Sequence, residues 1–259
     1  MQDSYCIYNG HLISLYEPAI SFSNRAFRYG DSLFESIRFT NGKIMFLADH
    51  VKRIKLSMTT LRMNVPAEFT SANIEQLILH LVEQNDIKKE ARIRLTVFRN
   101  EGGFYTPDTN DISFLIESES IETPGYILIS KLERPCVCNG RYYKTSLRLD
   151  DCLLVNDNGN IIETINSNIF VVKNGTLYTS PITDGCIDGV MRKQILDIAT
   201  QHKLLAFEQP LTVHTLTNGD EVFLTNAIKG IQWVGQFKNK FYTNQKAVFF
   251  TEKLNELAQ

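Results

Sequence analysis

Apolar and polar positions change period several times along the chain, and each change marks an element. YCIYNGHLIS and FTNGKIMFL both set an Asn-Gly step between short apolar runs, which predicts two β-hairpins. In ADHVKRIKLSMTTLRM the apolar residues Val51, Ile54, Leu56, Met58 and Leu61 recur at mixed three-and-four spacing around Asp49, so a helix is predicted there. Pro66 ends that pattern. Ser71 is placed to cap a second helix reaching about Asn85, and ARIRLTVFR then alternates as a half-buried strand does. DISFLIES reads as a further strand.

The polar run ESESIETPG, residues 117–125, combines charges with Pro124 and Gly125 and predicts a break between domains. The organisation expected is an N-terminal α/β domain over residues 1–118, a linker over 119–125 and a C-terminal domain over 126–259. The second half starts with strand YILISKL and another strand near Tyr143, followed by hairpins at VNDNGNI and VVKNGTLYT. GVMRKQILDIATQH changes to helical period. AFEQPLT, EVFLTNA and IQWVGQF read as short strands, and a helix from about Gln245 follows them. No fixed-period repeat is present, which sets aside solenoids and propellers.

Composition removes several function classes. With 259 residues the chain can bury one large core or two ordinary ones, and no apolar run approaches the roughly 20 residues that span a bilayer. A net charge of -2, with lysines and arginines scattered, supplies no basic field for a nucleic-acid backbone. MQDSYCIYNG lacks the basic start and apolar centre of a secretory signal, so a cytoplasmic protein is expected. The five cysteines have no zinc-type spacing and read as reduced, and the five histidines form no H-x-x-x-H pair, so no metal site is assigned.

Three stretches carry candidate chemistry. Lys144 stands behind two tyrosines in YYKTSLRLDD, and a lysine amine becomes a nucleophile towards carbonyls when apolar or aromatic neighbours keep it partly neutral. Were that carbonyl the aldehyde of pyridoxal phosphate, the ring nitrogen would need an acidic partner, and Glu163 in IIETINSNIF suits that role. A phosphate needs backbone amides at a helix start, which DGCIDGVMR offers just before a helical pattern. Taken singly, each has an ordinary reading: a snorkelling strand lysine, a solvated hairpin glutamate, a loop with its cap.

Together they resemble the class IV aminotransferases, the pyridoxal-phosphate family of branched-chain aminotransferases, D-amino-acid aminotransferases and 4-amino-4-deoxychorismate lyases. NRAFRYGDSLFESIR, DHVKRIKLS, the YKT step, ETINSNIF, DGVMR and FLTNAIKGIQWV carry the resemblance, in order and over almost the whole chain. It implies an α+β fold of two α/β-type domains, with pyridoxal 5'-phosphate in the interdomain cleft of a homodimer acting on a small amino-acid-like substrate. Lys144 would form the internal aldimine and shuttle the substrate proton, Glu163 would meet the ring nitrogen, and Arg53 would bind the phosphate as a forked donor. Val190, Met191, Asn226 and Ala227 would add backbone amides, and Arg94, Phe34 and Tyr29 would contact substrate.

The specificity signals divide. NEGGFYTP replaces the R-x-H carboxylate trap of D-amino-acid enzymes. Arg92 stands where branched-chain enzymes usually have a tyrosine two before the arginine, here Arg94. Phe104 replaces the arginine of many lyases, while the TNA step agrees with a lyase. A branched-chain-type aminotransferase is the reading adopted, with aminodeoxychorismate lyase and a non-catalytic binding module as alternatives. Lys144 and Glu163 are only 19 positions apart, where the resemblance implies an additional helix of about 14 residues. Either that helix is lost or the chain breaks between Thr145 and Leu149, with an α-carbon step well above about 3.8 Å.

Overall fold

Ala91, Ile93, Leu95 and Val97 are fully buried, while Arg92, Arg94 and Thr96 between them are not. This period of two places β5 (Glu90–Arg99) with one face on a core. Its neighbours are β3 (Ser32–Thr40) and β6 (Ile112–Ser120), inside an antiparallel sheet completed by β1 (Tyr5–Tyr8), β2 (His11–Ser14) and β4 (Lys43–Ile44), in the order β2-β1-β6-β5-β3-β4. In the computed structural model, residues 4–17, 20–131, 136–138 and 151–258 are described, with backbone alone for 129–131 and 136–138. The chain divides into two units, one ending at Pro124 and the other running Gly125–Leu257.

In the first unit, α2 (Leu47–Thr60) and α3 (Ser71–Gln84) cover one face of the sheet and share its core. A short α1 (Arg25–Tyr29) precedes β3. The buried stripe of α2 is Leu47, His50, Val51, Ile54 and Met58. Leu56 and Leu61, expected in that stripe, are exposed. Leu56 lies two residues from both Ile54 and Met58, about 200° around the helix from each, on the far side. The cap of α3 is Thr70, whose hydroxyl accepts from Asn73 N–H, so Ser71 is the first helical residue instead. At Asn9-Gly10 and Asn41-Gly42 both residues have positive φ, the backbone that a two-residue hairpin turn demands.

β6 continues to Ser120, and its last residues Glu119 and Ser120 pair with Arg92 and Ala91. The first two residues of the expected linker are therefore strand, because β5 offers them a full ladder. YILISKL contributes only β7 (Ile129–Lys131). The strand near Tyr143, Lys144 itself and the break expected between Thr145 and Leu149 lie outside the described residues.

The second unit holds the sheet β7-β15-β14-β11-β10-β9-β8, with β12 and β13 attached beside β11. Its strands are β8 (Cys136–Cys138), β9 (Cys152–Val155), β10 (Ile161–Thr164), β11 (Asn168–Lys173), β12 (Thr176–Thr179), β13 (Ala206–Glu208), β14 (Glu221–Asn226) and β15 (Gly230–Val234), and β16 (Gln236–Phe237) pairs separately with β17 (Lys240–Phe241). Its described helices are α4 (Val190–Gln201), α5 (Val213–Thr217) and α6 (Gln245–Leu257). Phe170 and Phe223 stack at 5.2 Å, and Phe250 of α6 packs on Phe223. The other face of the sheet packs Ile169, Val171, Val222 and Leu224 against Leu211 and Leu216.

VNDNGNI forms the expected hairpin between β9 and β10, but its turn is longer than a two-residue Asn-Gly step, with positive φ at Gly159 and not at Asn158. Asn156 accepts on its side-chain oxygen from the N–H groups of Asn158 and Asn160, which stabilises a longer loop. The Asn174-Gly175 turn does have positive φ at both residues. Cys6, Cys152 and Cys186 are buried free thiols. Among the described residues, no helix is long and apolar enough to cross a membrane and no His, Cys, Asp or Glu cluster could hold a metal ion.

Candidate active site

Glu163 reaches its position through strand register. On β10 it lies opposite Asn168 of β11, and Asn168 lies opposite Thr225 of β14, so the three share one face of the sheet. Ile187 donates its N–H to Glu163 Oε2 at 3.0 Å, and Asn168 Nδ2 stands 3.5 Å from the same oxygen. Burial pushes the Glu163 carboxyl above its ordinary range, and the Ile187 N–H draws it partly back. Among the described residues, Thr225 Oγ1 is buried without a hydrogen-bond partner.

α4 starts beside this carboxylate. Gly189 is its N-cap, no side chain caps it, and Val190 and Met191 form its first turn. Helix geometry leaves the first-turn N–H groups without intrahelical acceptors, which makes this end attractive to an anion. Asn226, closing β14, accepts on its side-chain oxygen from Ile228 N–H at 2.9 Å and donates to the Asn166 carbonyl at 2.6 Å. Ala227 presents its carbonyl to the Tyr126 hydroxyl at 3.3 Å. Glu163, Val190 and Met191 thus share one neighbourhood of the second unit, with Asn226 and Ala227 at the end of an adjoining strand.

In the first unit, Glu35 falls in the apolar phase of β3, with Ile37 and Phe39, and is buried under α2. His50 Nδ1 meets Glu35 Oε2 at 2.6 Å. Arg53 grips the same carboxylate with Nε at 2.7 Å and Nη2 at 2.5 Å. Burial alone would raise the Glu35 carboxyl, but hydrogen bonds and charge from His50 and Arg53 outweigh it and hold the group below its ordinary range. The Nε/Nη2 fork of Arg53, expected on a phosphate, is therefore engaged by Glu35. The side chain keeps 29% exposure.

Arg94 and Phe34 occupy the opposite face of that sheet. The Arg94 guanidinium carbon lies 4.1 Å from the Phe34 ring centroid, and its Nε contacts Thr96 Oγ1 at 3.3 Å. A cavity of about 500 Å³ opens beside Arg92 and Arg94, whose cross-strand neighbours Glu119 and Glu117 balance their charge. Tyr29 lies in α1, beneath Arg25 and 6.2 Å from the Tyr105 ring. Arg25 donates to the carbonyls of Gly102, Gly103 and Phe104, fixing the loop that replaces the R-x-H step.

Sequence reasoning missed Glu35, His50, Asn168 and Thr225. The signal for the first two was a charged residue in the apolar phase of a strand and a histidine in the apolar stripe of a helix. Both positions bury a polar group, and such groups require partners.

A family model described as Amino-transferase class IV matches residues 32–135 and 142–237. A Methanocaldococcus jannaschii protein assigned as a branched-chain-amino-acid aminotransferase is 26% identical over 270 residues, spanning 96% of this chain and 93% of its own. The D-alanine aminotransferase of Bacillus licheniformis is 25% identical over 240 residues, spanning 85% of this chain and 83% of its own. In fold, the chain is similar to the branched-chain amino acid aminotransferase of Thermobaculum terrenum in its PLP form, with a TM-score of 0.82, 20% identity and coverage of 99% of this chain and 94% of the other.

Proposed function

Because the chain belongs to the class IV amino-transferase family, we propose that it is a pyridoxal 5'-phosphate enzyme transferring the amino group of a branched-chain-type amino acid, with Lys144 as the catalytic lysine. The observation that carries this reading is the half-buried Glu163 carboxylate beside the start of α4, which no described side chain caps. The donor set suits that cofactor. Glu163 offers an acidic partner to a ring nitrogen, the first-turn amides favour a phosphate, and the unpartnered Thr225 hydroxyl on the same face can still donate.

When bound, the cofactor supplies an electron sink for a carbanion at the substrate α carbon. The chain's own groups do the rest. Glu163 holds a proton on the ring nitrogen, and Lys144 moves the proton at the substrate α carbon. Within the second unit, the amides of Val190 and Met191 would hold the phosphate, with those of Asn226 and Ala227. Arg94 binds the substrate carboxylate, and the exposed ring of Phe34 beside it, with Tyr29, gives an apolar side chain a surface to rest on.

The enzyme is a homodimer of the cytoplasm in this reading. Phe22, Phe27, Phe104 and Tyr105 of the first unit are exposed, an apolar surface that a second copy would cover. The lyase reading retains the TNA step at Thr225–Ala227 in its support. Incubation with branched-chain amino acids plus 2-oxoglutarate, and separately with aminodeoxychorismate, separates the two. Keto acid from the first mixture supports the reading adopted, whereas pyruvate and 4-aminobenzoate from the second alone would replace it with the lyase.

A further inference from the structure

Asn168 touches both ends of the proposed cofactor site. Its Nδ2 donates to the Ile187 carbonyl at 2.8 Å and stands 3.5 Å from Glu163 Oε2, while Ile187 N–H donates to that same carboxylate oxygen at 3.0 Å. The Ile187 carbonyl also accepts from Gly189 N–H at 2.9 Å. Both polar atoms of residue 187 are thus engaged. Its side chain is exposed, so these backbone bonds rather than packing hold the turn. On its other side, Asn168 Oδ1 occupies the space a side chain at 189 would take: a β-carbon there would lie 2.0 Å from it.

We infer that Asn168 is a positioning residue that fixes the separation between the Glu163 carboxylate and the first-turn amides of α4, and that residue 189 is glycine so that Asn168 can fit. The inference rests on the cofactor reading above. A pyridine ring with its phosphate is a rigid body, so a carboxylate for one end and amides for the other act together only at one spacing. Asn168 spans that spacing, with one hydrogen bond at 2.8 Å to the turn that leads into Val190 and one longer approach, at 3.5 Å, to the carboxylate. A neighbouring aspartate would repel Glu163, and an apolar residue would leave the Ile187 carbonyl with one donor fewer.

The test uses the full chain freed of cofactor and the probe pyridoxamine 5'-phosphate, which has no aldehyde and so does not react with Lys144. Affinity for the probe and for inorganic phosphate is measured by calorimetry for wild type, Asn168→Ala, Gly189→Ala and the double variant. Each single variant should bind the probe about tenfold more weakly, the loss of roughly one hydrogen bond near a charge. Asn168→Ala should change phosphate affinity by no more than about twofold, because the amides remain and only the spacing is lost. The double variant should match Asn168→Ala, since removing the asparagine makes room for the β-carbon.

Wild-type probe affinity in folded Asn168→Ala would overturn the inference, as would equal losses for probe and phosphate, or losses that add in the double variant. If Asn168→Ala does not fold, Gly189→Ala carries the same expectation for the probe, and unchanged affinity there overturns it equally. A wild type that binds no probe sinks the cofactor reading and this inference together, a result distinct from the others.

Discussion

Replacing Glu35 by glutamine should cost the first unit roughly 3 kcal/mol at neutral pH, of which the His50 contact supplies the larger share. That contact involves two side chains almost wholly removed from water, 1% and 4% exposed, and hydrogen bonds to charged groups contribute about 1.5–3 kcal/mol. Arg53 is 29% exposed and can recover water, so its pairing with Glu35 counts for about 1 kcal/mol or less. A loss of that size lowers Tm by roughly 6–12 °C in a chain of this length. The sign of the pH dependence follows from the depressed Glu35 pKa. The stabilisation is complete above the unfolded-state pKa and disappears as pH falls through the folded-state value, so the gap between wild type and Glu35→Gln should close in acid. Trp233, the sole tryptophan, belongs to the second unit, so the assay is far-UV circular dichroism with amide exchange of β3 and α2. A neutral-pH loss under about 0.5 kcal/mol, or a gap that persists unchanged in acid, would refute the buried-carboxylate account.

Three further outcomes follow from the same reasoning. In cofactor-free protein, burial raises the Glu163 pKa, so the associated stability is present at low pH and lost as pH rises through the folded-state value; Glu163→Gln should gain Tm over wild type from about pH 4 to pH 8, and a constant difference would contradict this. Glu221, buried, accepts from Lys246 N–H at 2.8 Å and Ala247 N–H at 3.3 Å at the start of α6; Glu221→Ala should cost about 2 kcal/mol in urea unfolding followed by Trp233 fluorescence, and an unchanged midpoint would count against the cap. Arg94→Ala should raise KM with little change in kcat, having removed binding common to ground and transition states, and an unchanged KM would end the assignment of Arg94 to the substrate carboxylate.

Local patterns explain why most elements were legible. Asn-Gly steps fix a backbone that few other residue pairs adopt, and strand and helix periods follow from one buried face. Leu56 shows the limit, because an apolar residue enters a core only in phase with its neighbours, and Leu56 is out of phase on α2. VNDNGNI does form the expected hairpin between β9 and β10, but with a longer turn. The Asn156 side chain satisfies two loop amides, a possibility that the Asn-Gly pair conceals.

The site was legible to differing depths. Glu163 and the α4 amides were singled out from chemistry and resemblance together, since an acid in a strand hairpin and a helix start are local features. Asn168 was not, because its significance arises from contact with Ile187 and its place beside Gly189, about 20 positions along the chain, and both arise only once β10, β11 and α4 are assembled. Arg53 was singled out for a phosphate, but its carboxylate partner was not foreseen. Glu35 reads as an interruption of an apolar strand until α2 places His50 and Arg53 above it.

The central claim is that this chain holds pyridoxal 5'-phosphate through Lys144. Its most direct test is borohydride reduction of the protein after incubation with the cofactor, followed by peptide mapping of the fixed label. The account predicts a visible absorption band that reduction removes, one equivalent of label on Lys144, and neither band nor label in a folded Lys144→Ala variant. A colourless wild type, or label that settles on another lysine, would contradict it and return the chain to the binding-module alternative.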